Sequence, residues 1–449
     1  MLRRSVAIPV LLALAIPAEL LAATRKVPQQ FTTIQAAITA AAPGDTIKIS
    51  KGVYKENVVV DKLGLVIKGT DGVIVDARPD PLDGSGAGFF ITGAGVTIEK
   101  LTVRHARAPA PIGGASLGAN FFVDGSSVTI KNVVSEHPSD FHIASTAMAG
   151  GLRVQNCSFE GTGFSTMSAS CRFESCTFHH ASGLEIVSGD ALVKDCRFDD
   201  CGGGVLAFAP NADIRNNRMR NVRVFPLFSI NSGVVFRGNK LDGCSGIIVN
   251  GDDATIDDND ITHSFPLDPT HPTLFVSDCA NAMITDNRIS DCTGGGIALA
   301  VDATNATVSR NSVKRCSRVS QVELLSLDSP FQDAGIEVHS NNGTISQNTV
   351  KECTGDGIHV TGGGNQILDN VVKSCLEDGI DNEGAANTVN GNDARKNQAE
   401  GIENNGANTV MNDNVAVKNR IDIANNGSFI SFSNNQPAGT PPPPEIDLP

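Results

Sequence analysis

The chain of 449 residues has no tryptophan and a single tyrosine, so it carries almost none of the large amphipathic rings that usually anchor ligands and interfaces. Beyond about residue 22, no apolar run approaches the ~20 residues that a membrane-spanning helix needs. None of the eleven cysteines forms a C-x2-C pair, which removes the common structural zinc motifs. Positive charge is also short: 35 Lys and Arg stand against 49 Asp and Glu, for a formal charge of −14. A protein of that sign repels nucleic acid and anionic membranes, so neither is expected as a partner. A polyanion would need a local basic patch.

Glycine is plentiful, with 45 residues, and so is repetition. Asn348, Asn370 and Asn392 recur every 22 residues, as do Gly357-Ile358, Gly379-Ile380 and Gly401-Ile402. Each period carries two short alternating runs, Ile345/Asn348/Val350 and Ile358/Val360, separated by Gly, Asn and Asp. That is strand and turn chemistry, with no room for a long helix. One coil cannot bury its own apolar row, but stacked coils bury a continuous one. The expected fold is all-β, a right-handed parallel β-helix with an asparagine ladder along its axis.

The marker position can be followed through Leu101, Val133, Cys157, Cys176, Cys196, Asn217, Asn239, Asn259, Asn287, Asn311, Asn348, Asn370, Asn392 and Asn414, which implies about fourteen coils. Cys201, Cys244, Cys292, Cys316, Cys353 and Cys375 share a second repeat position. Stacked side chains pointing the same way suit a disulfide badly, so buried free thiols are expected. Three insertions, near residues 104–118, 263–272 and 317–333, enter just before the Gly-Ile strand and should project from one edge as groove walls. A short amphipathic helix over residues 31–42 should cap the N-terminal end, stopped by Pro43-Gly44.

The organisation expected is a secretory signal over residues 1–23, a solenoid over 24–436, and a disordered Pro-rich tail over 437–449. Arg3 and Arg4 before an apolar run closed by small residues carry the first of these. The mature protein would be periplasmic or secreted, with no membrane insertion and a formal charge of −15, since Arg3, Arg4 and Glu19 leave with the leader.

Three stretches, Phe31-Thr-Thr-Ile-Gln-Ala-Ala-Ile38, Pro43-Gly-Asp-Thr-Ile47 and Gly52-Val-Tyr-Lys-Glu-Asn57, resemble the start of the pectate-lyase-like β-helix superfamily. They are similar to pectin methylesterases and NosD-like periplasmic proteins in particular. The methylesterase aspartate pair is not matched: Asp140-Phe141 is the nearest approach, and Gln-Asp-Thr-Leu and the tryptophan are absent. Gly251-Asp252-Asp253 resembles the polygalacturonase Gly-Asp-Asp, without its partner motifs. The resemblance implies a carbohydrate-active protein, a lyase or epimerase on a polysaccharide. The alternative it implies is a non-catalytic scaffold that binds polysaccharide or metal.

Candidate chemistry lies on the Gly-Ile strand. Ile358 and Val360 face in, so His359 faces out, and the same phase puts Glu337, Asp381 and Glu403 out. A second acidic row, Asp356, Asp378 and Glu400, precedes the glycines. Stacked carboxylates repel unless a hard cation such as calcium, or a raised carboxyl pKa, compensates. A raised pKa suits general acid catalysis. The Asp-Gly-Ile triplets also read as turns in which Asp bonds local backbone, the reading favoured over a cation or catalysis. The catalytic candidates are Glu337, Asp356, His359, Asp378 and Asp381. Towards the N-terminus the phase places His142, Glu185, Phe228 and Phe275 outward as candidate sugar contacts. His263 and His271, with Asp268, share one insertion and are further candidates. Arg215, Arg218, Arg220, Arg223 and Arg237 form the basic cluster, read as a solvated face that could also neutralise a uronate.

Overall fold

The computed structural model describes residues 22–77, 86–107, 118–167, 169–265, 272–316 and 334–437. Among these, every strand pairing is parallel, and like stacks on like, as between Ile345 and Ile367, Val350 and Val372, and Ile358 and Ile380. The register shifts at Phe141/Ile143, Gly203/Val205 and Thr409/Val410. The strands form three long sheets of 18, 17 and 16 members. This is a solenoid of about seventeen turns, wound around one apolar core. The fourteen expected coils omit three of these turns: the two earliest place Ser50 and Thr70 at the marker corner, and the last places Asn435 there, one turn beyond Asn414.

Each coil has three strands, where two runs were expected. The run Ile345/Asn348/Val350 is broken into Thr344–Ser346, in the first sheet, and Thr349–Lys351, in the second. Ile358–Val360 belongs to the third. One residue at each corner takes a left-handed backbone: Asn342 (φ +59°), Gln347 (φ +57°) and Glu352 (φ +57°). A single left-handed residue turns the chain without a long loop.

Asn348 follows the left-handed Gln347 and faces inward. Its N–H and its Nδ2 both donate to Asn370 Oδ1 at 3.0 Å, and Nδ2 also donates back to the Val308 carbonyl at 2.8 Å. The same bonds link Asn217, Asn239, Asn259, Asn287, Asn311, Asn348, Asn370, Asn392 and Asn414, and the ladder ends on Asn435. At its other end the Cys196 N–H donates to Asn217 Oδ1 (2.9 Å), so thiols take over the position in the earlier coils. All eleven cysteines are buried and free.

The N-terminal helix is Ile34–Ala40, with Thr33 as its N-cap. Glu56 accepts from the Ile34 and Gln35 N–H groups at 2.9 Å. The Gln35 side chain pairs with both backbone groups of Val59, closing the first strand of the third sheet. Asp45 accepts from the Ala23 and Ala42 N–H groups and from Arg25. The opening motifs are therefore the parts that seal an exposed sheet end.

The repeated glycines have a packing role. A Cβ at Gly357 would stand 2.1 Å from Val372 Cγ1, and one at Gly379 2.4 Å from the Gly401 carbonyl. Only glycine lets the second sheet, at Val372, and the backbone of the next coil, at Gly401, approach so closely there.

Three of the insertions lie mainly outside the described residues, at 108–117, 266–271 and 317–333. Their flanks confirm the common corner, since each falls between a second-sheet and a third-sheet strand. Residues 78–85 fall at the same corner, making a fourth. No helix among the described residues is long and apolar enough to cross a membrane.

Candidate functional site

The third sheet carries one outward column. Register links Thr166, Glu185, Leu206, Phe228, Ile248, Phe275, Ala298, Glu337, His359, Asp381 and Glu403. The expected phase of Glu185, Phe228, Phe275, Glu337, His359 and Asp381 therefore holds. Exposure does not follow from it: Glu337 and His359 are each 2% exposed and Asp381 9%. Outer-face side chains one coil apart crowd each other, and a second column fills the space beside them. His339, Thr361, Glu383 and Asn405 form that second column, each two residues beyond its column neighbour and just past the end of its strand.

His359 is the centre. Its Nε2 lies 3.7 Å from Asp381 Oδ2 and 3.8 Å from Glu383 Oε2, and its Nδ1 lies 3.8 Å from Glu337 Oε1. These are ion-pair separations, too long for hydrogen bonds, and both ring nitrogens are buried without a hydrogen-bond partner. Burial pulls the imidazole pKa down, but the surrounding acids outweigh it and raise it to about 9. Asp381 is pushed up to about 7 by burial, against the pull of His359. Glu337 is itself held: His339 Nε2 lies 2.8 Å from its Oε1, and His339 Nδ1 lies 2.7 Å from Thr361 Oγ1.

The second acidic row bonds from coil to coil, 22 residues apart, and not to the local backbone that the turn reading expected. Asp356 Oδ1 accepts the Asp378 N–H at 2.8 Å, and Asp378 Oδ1 accepts the Glu400 N–H at 2.6 Å. Burial also lifts Asp356 to about 6. Asp378 rises to about 8, through burial and the adjoining Glu400 carboxyl. Against the upward push of burial, the hydrogen bond from Asp378 and the 2.7 Å contact with Arg420 lower the Glu400 pKa.

Residues 64–219, 166–245, 227–394 and 328–436 each match the family described as "Right handed beta helix region". The chain belongs to this right-handed β-helix family. No curated protein matches the sequence. Among solved structures, it is similar to the periplasmic alginate epimerase AlgG, at 12% identity over 92% of this chain and 83% of that one, with a TM-score of 0.36. It is also similar to the DFA-IIIase from Arthrobacter chlorophenolicus A6, at 14% identity over 82% and 93%, TM-score 0.35. The pectin methylesterase PemA from Erwinia chrysanthemi is similar at 12% over 48% and 80%, TM-score 0.30.

In this β-helix the N-terminal candidates separate from the cluster. His142 was expected outward and is inward, fully buried. A register shift between Phe141 and Ile143 adds a residue to its strand, which turns the side chain to the other face. Nε2 donates to the Gly161 carbonyl at 3.0 Å and Nδ1 accepts from Ser135 Oγ at 2.9 Å, a neutral tautomer. Glu185 accepts from Thr166 Oγ1. Phe228 packs on Phe208 and Phe225, with ring centroids 5.9 and 5.1 Å away. His263 is exposed beside Asp242 at 2.9 Å, at a corner and not on the column. His271 and Asp268 lie outside the described residues. The arginines stand on the first two sheets and the adjoining corner, where Arg215, Arg220 and Arg237 pair with Asp213, Asp199 and Asp257.

Sequence reading missed His339 and Glu383. Extending the alternation two residues past the Gly-Ile strand would have found both.

His142 supplies a pH test. Burial pushes its imidazole down to about 4, so the folded state resists protonation. Its folded pKa lies below the unfolded value of about 6.5, so stability is lost as pH falls from there towards 4. The loss from this group is expected to reach about 3 kcal/mol at the lower end. Urea midpoints at pH 7 and 4.5 should therefore fall further for the native protein than for His142→Gln. Equal falls in both would refute this.

Proposed function

We propose that this β-helix acts on a polysaccharide, as a lyase or an epimerase, along the outer face of its third sheet. The observation that carries the reading is His359: a buried imidazole, without a hydrogen bond at either nitrogen, set among three carboxylates on an outer face. Both reactions start with removal of the C–H proton beside a sugar carboxylate, which needs a positioned base. His359, raised to about 9, takes that role in alkaline solution, where the ring has lost its proton. Neighbouring acids can return a proton to the ring or to the departing oxygen. The half-buried column of Leu206, Phe228, Ile248 and Phe275 leads towards the cluster and offers sugar rings an apolar bed. The reading takes the protein to be exported, on the apolar leader of residues 1–23.

A binding scaffold without turnover is the second reading. It is favoured by the scarcity of fixed positive charge: among the described residues, Arg420 is the one guanidinium in contact with the cluster, and it serves Glu400. Enolate formation needs charge stabilisation that a carboxylate-rich site lacks.

The test is the full-length protein against a panel of uronate and neutral polysaccharides. Unsaturated product, seen by absorbance, is expected for a lyase, and exchanged C–H protons with altered anomeric signals for an epimerase. Binding with neither change would establish the scaffold. Turnover that persists undiminished in His359→Ala would move the chemistry elsewhere.

A further inference from the structure

The spacing around His359 is too wide for hydrogen bonds and too narrow for water to separate the groups freely. It fits a shared ion. His359, Asp381 and Glu383 each offer a ligand atom, all within 4.8 Å of one another. Nε2 stands 3.7 Å from Asp381 Oδ2 and 3.8 Å from Glu383 Oε2. Zinc–nitrogen and zinc–oxygen bonds of about 2.0–2.2 Å place neighbouring ligands about 3.3–3.6 Å apart around a tetrahedral ion. A contraction of a few tenths of an ångström would close the site.

We propose that His359 Nε2, Asp381 and Glu383 bind one divalent ion of the zinc type. This goes beyond the calcium expected from stacked carboxylates, because an imidazole ligand selects borderline ions over calcium, which takes oxygen. Two independent observations meet here: a three-residue ligand set, and a 2% exposed histidine whose ring nitrogens have no hydrogen bond.

The surroundings of the ring agree with it. Metal-bound histidines commonly present their other nitrogen to a carboxylate, which fixes ring and tautomer. Here Nδ1 faces Glu337 Oε1, which His339 holds at 2.8 Å, and His339 in turn meets Thr361 Oγ1 at 2.7 Å. Thr361, His339, Glu337 and His359 thus form a chain aimed at the ligand atom. Glu383 lies half-exposed at the outer side, with its side chain 49% accessible, so an ion has a way in. Binding displaces the Nε2 proton to solvent, and the fourth position falls to water or substrate.

The site shares residues with the polysaccharide reading but does not depend on it. His179, His180 and Asp200 make a separate exposed group that could also take zinc. The titration therefore uses full-length protein carrying His180→Ala, stripped with chelator and followed calorimetrically with ZnCl2. One equivalent should bind, and excess CaCl2 should not displace it. His359→Ala should weaken binding by at least about 100-fold, and Glu337→Gln by about 10–100-fold. Glu383→Gln, at a half-exposed position that threatens folding least, should also weaken it by at least tenfold. Absence of uptake, displacement by calcium, or uptake unchanged by His359→Ala and Glu383→Gln would overturn the proposal. Polysaccharide turnover by a protein that takes up no zinc would sink the ion and leave the polysaccharide reading intact. Zinc uptake without any turnover would do the reverse.

Discussion

His359→Gln is expected to lower polysaccharide turnover by about 10²–10⁴-fold, the usual contribution of a positioned proton-transfer group. No neighbour can stand in for it. The nearest other imidazole, His339, is already held between Glu337 and Thr361. Asp381 is 9% exposed and would remain as a carboxyl without its cation. Glutamine is preferred to alanine for this test because three acids face the ring. Removing one partner of a buried charge pair costs about 3–5 kcal/mol, and an amide softens that loss by keeping polar atoms in place. The loss should fall on kcat more than on KM, since the apolar bed at Phe228 and Phe275 is untouched. Matching circular dichroism and thermal melts establish that the variant is folded at the assay temperature. Activity within about threefold of the native protein would exclude His359 from the chemistry.

The Asn370→Ala substitution should destabilise the middle of the solenoid by about 3–5 kcal/mol. Asn370 Oδ1 accepts from the Asn348 N–H and Nδ2, both at 3.0 Å. Its Nδ2 donates to the Ile345 carbonyl at 2.8 Å and to Asn392 Oδ1 at 3.0 Å. Asn370 is fully buried, so alanine strands the Asn348 N–H away from water, removes the side-chain bond to the Ile345 carbonyl, and takes one partner each from the Asn348 and Asn392 amides. Each orphaned group costs about 1–3 kcal/mol. Gln366→Ala, at an exposed position on the neighbouring strand, should stay within about 0.5 kcal/mol and serves as the control. Repeat proteins lose coils locally, so hydrogen exchange of the amides from 344 to 395 is the appropriate readout, beside global denaturation. Protection changed by less than the equivalent of about 1 kcal/mol would mean the ladder is ornamental.

The two expectations draw on different layers of information. The ladder was legible residue by residue, because Asn348, Asn370 and Asn392 repeat at one spacing and coils stack like on like. The third-sheet column was legible as a phase, because side chains alternate along a strand whatever covers them. His142 escaped because a one-residue register shift reverses that phase, and no composition or motif marks it. The three corners per coil escaped because left-handed residues here include Gln347 and Glu352, which carry no turn signature. His339 and Glu383 escaped because the alternation was followed only across the conspicuous Gly-Ile repeat.

The sequence by itself determined the solenoid, the capping helix, the buried free thiols and the sheet on which the acids and His359 gather. A short period acts locally and is copied from coil to coil, so it needs no knowledge of distant contacts. Only the tertiary structure decided how deeply those side chains are buried, which nitrogen faces which carboxylate, and that the spacings lie near 3.7 Å. Those quantities depend on how columns from successive coils crowd one another. Crowding of that kind turns a row of ionisable residues into a site in which one imidazole meets three acids without a hydrogen bond.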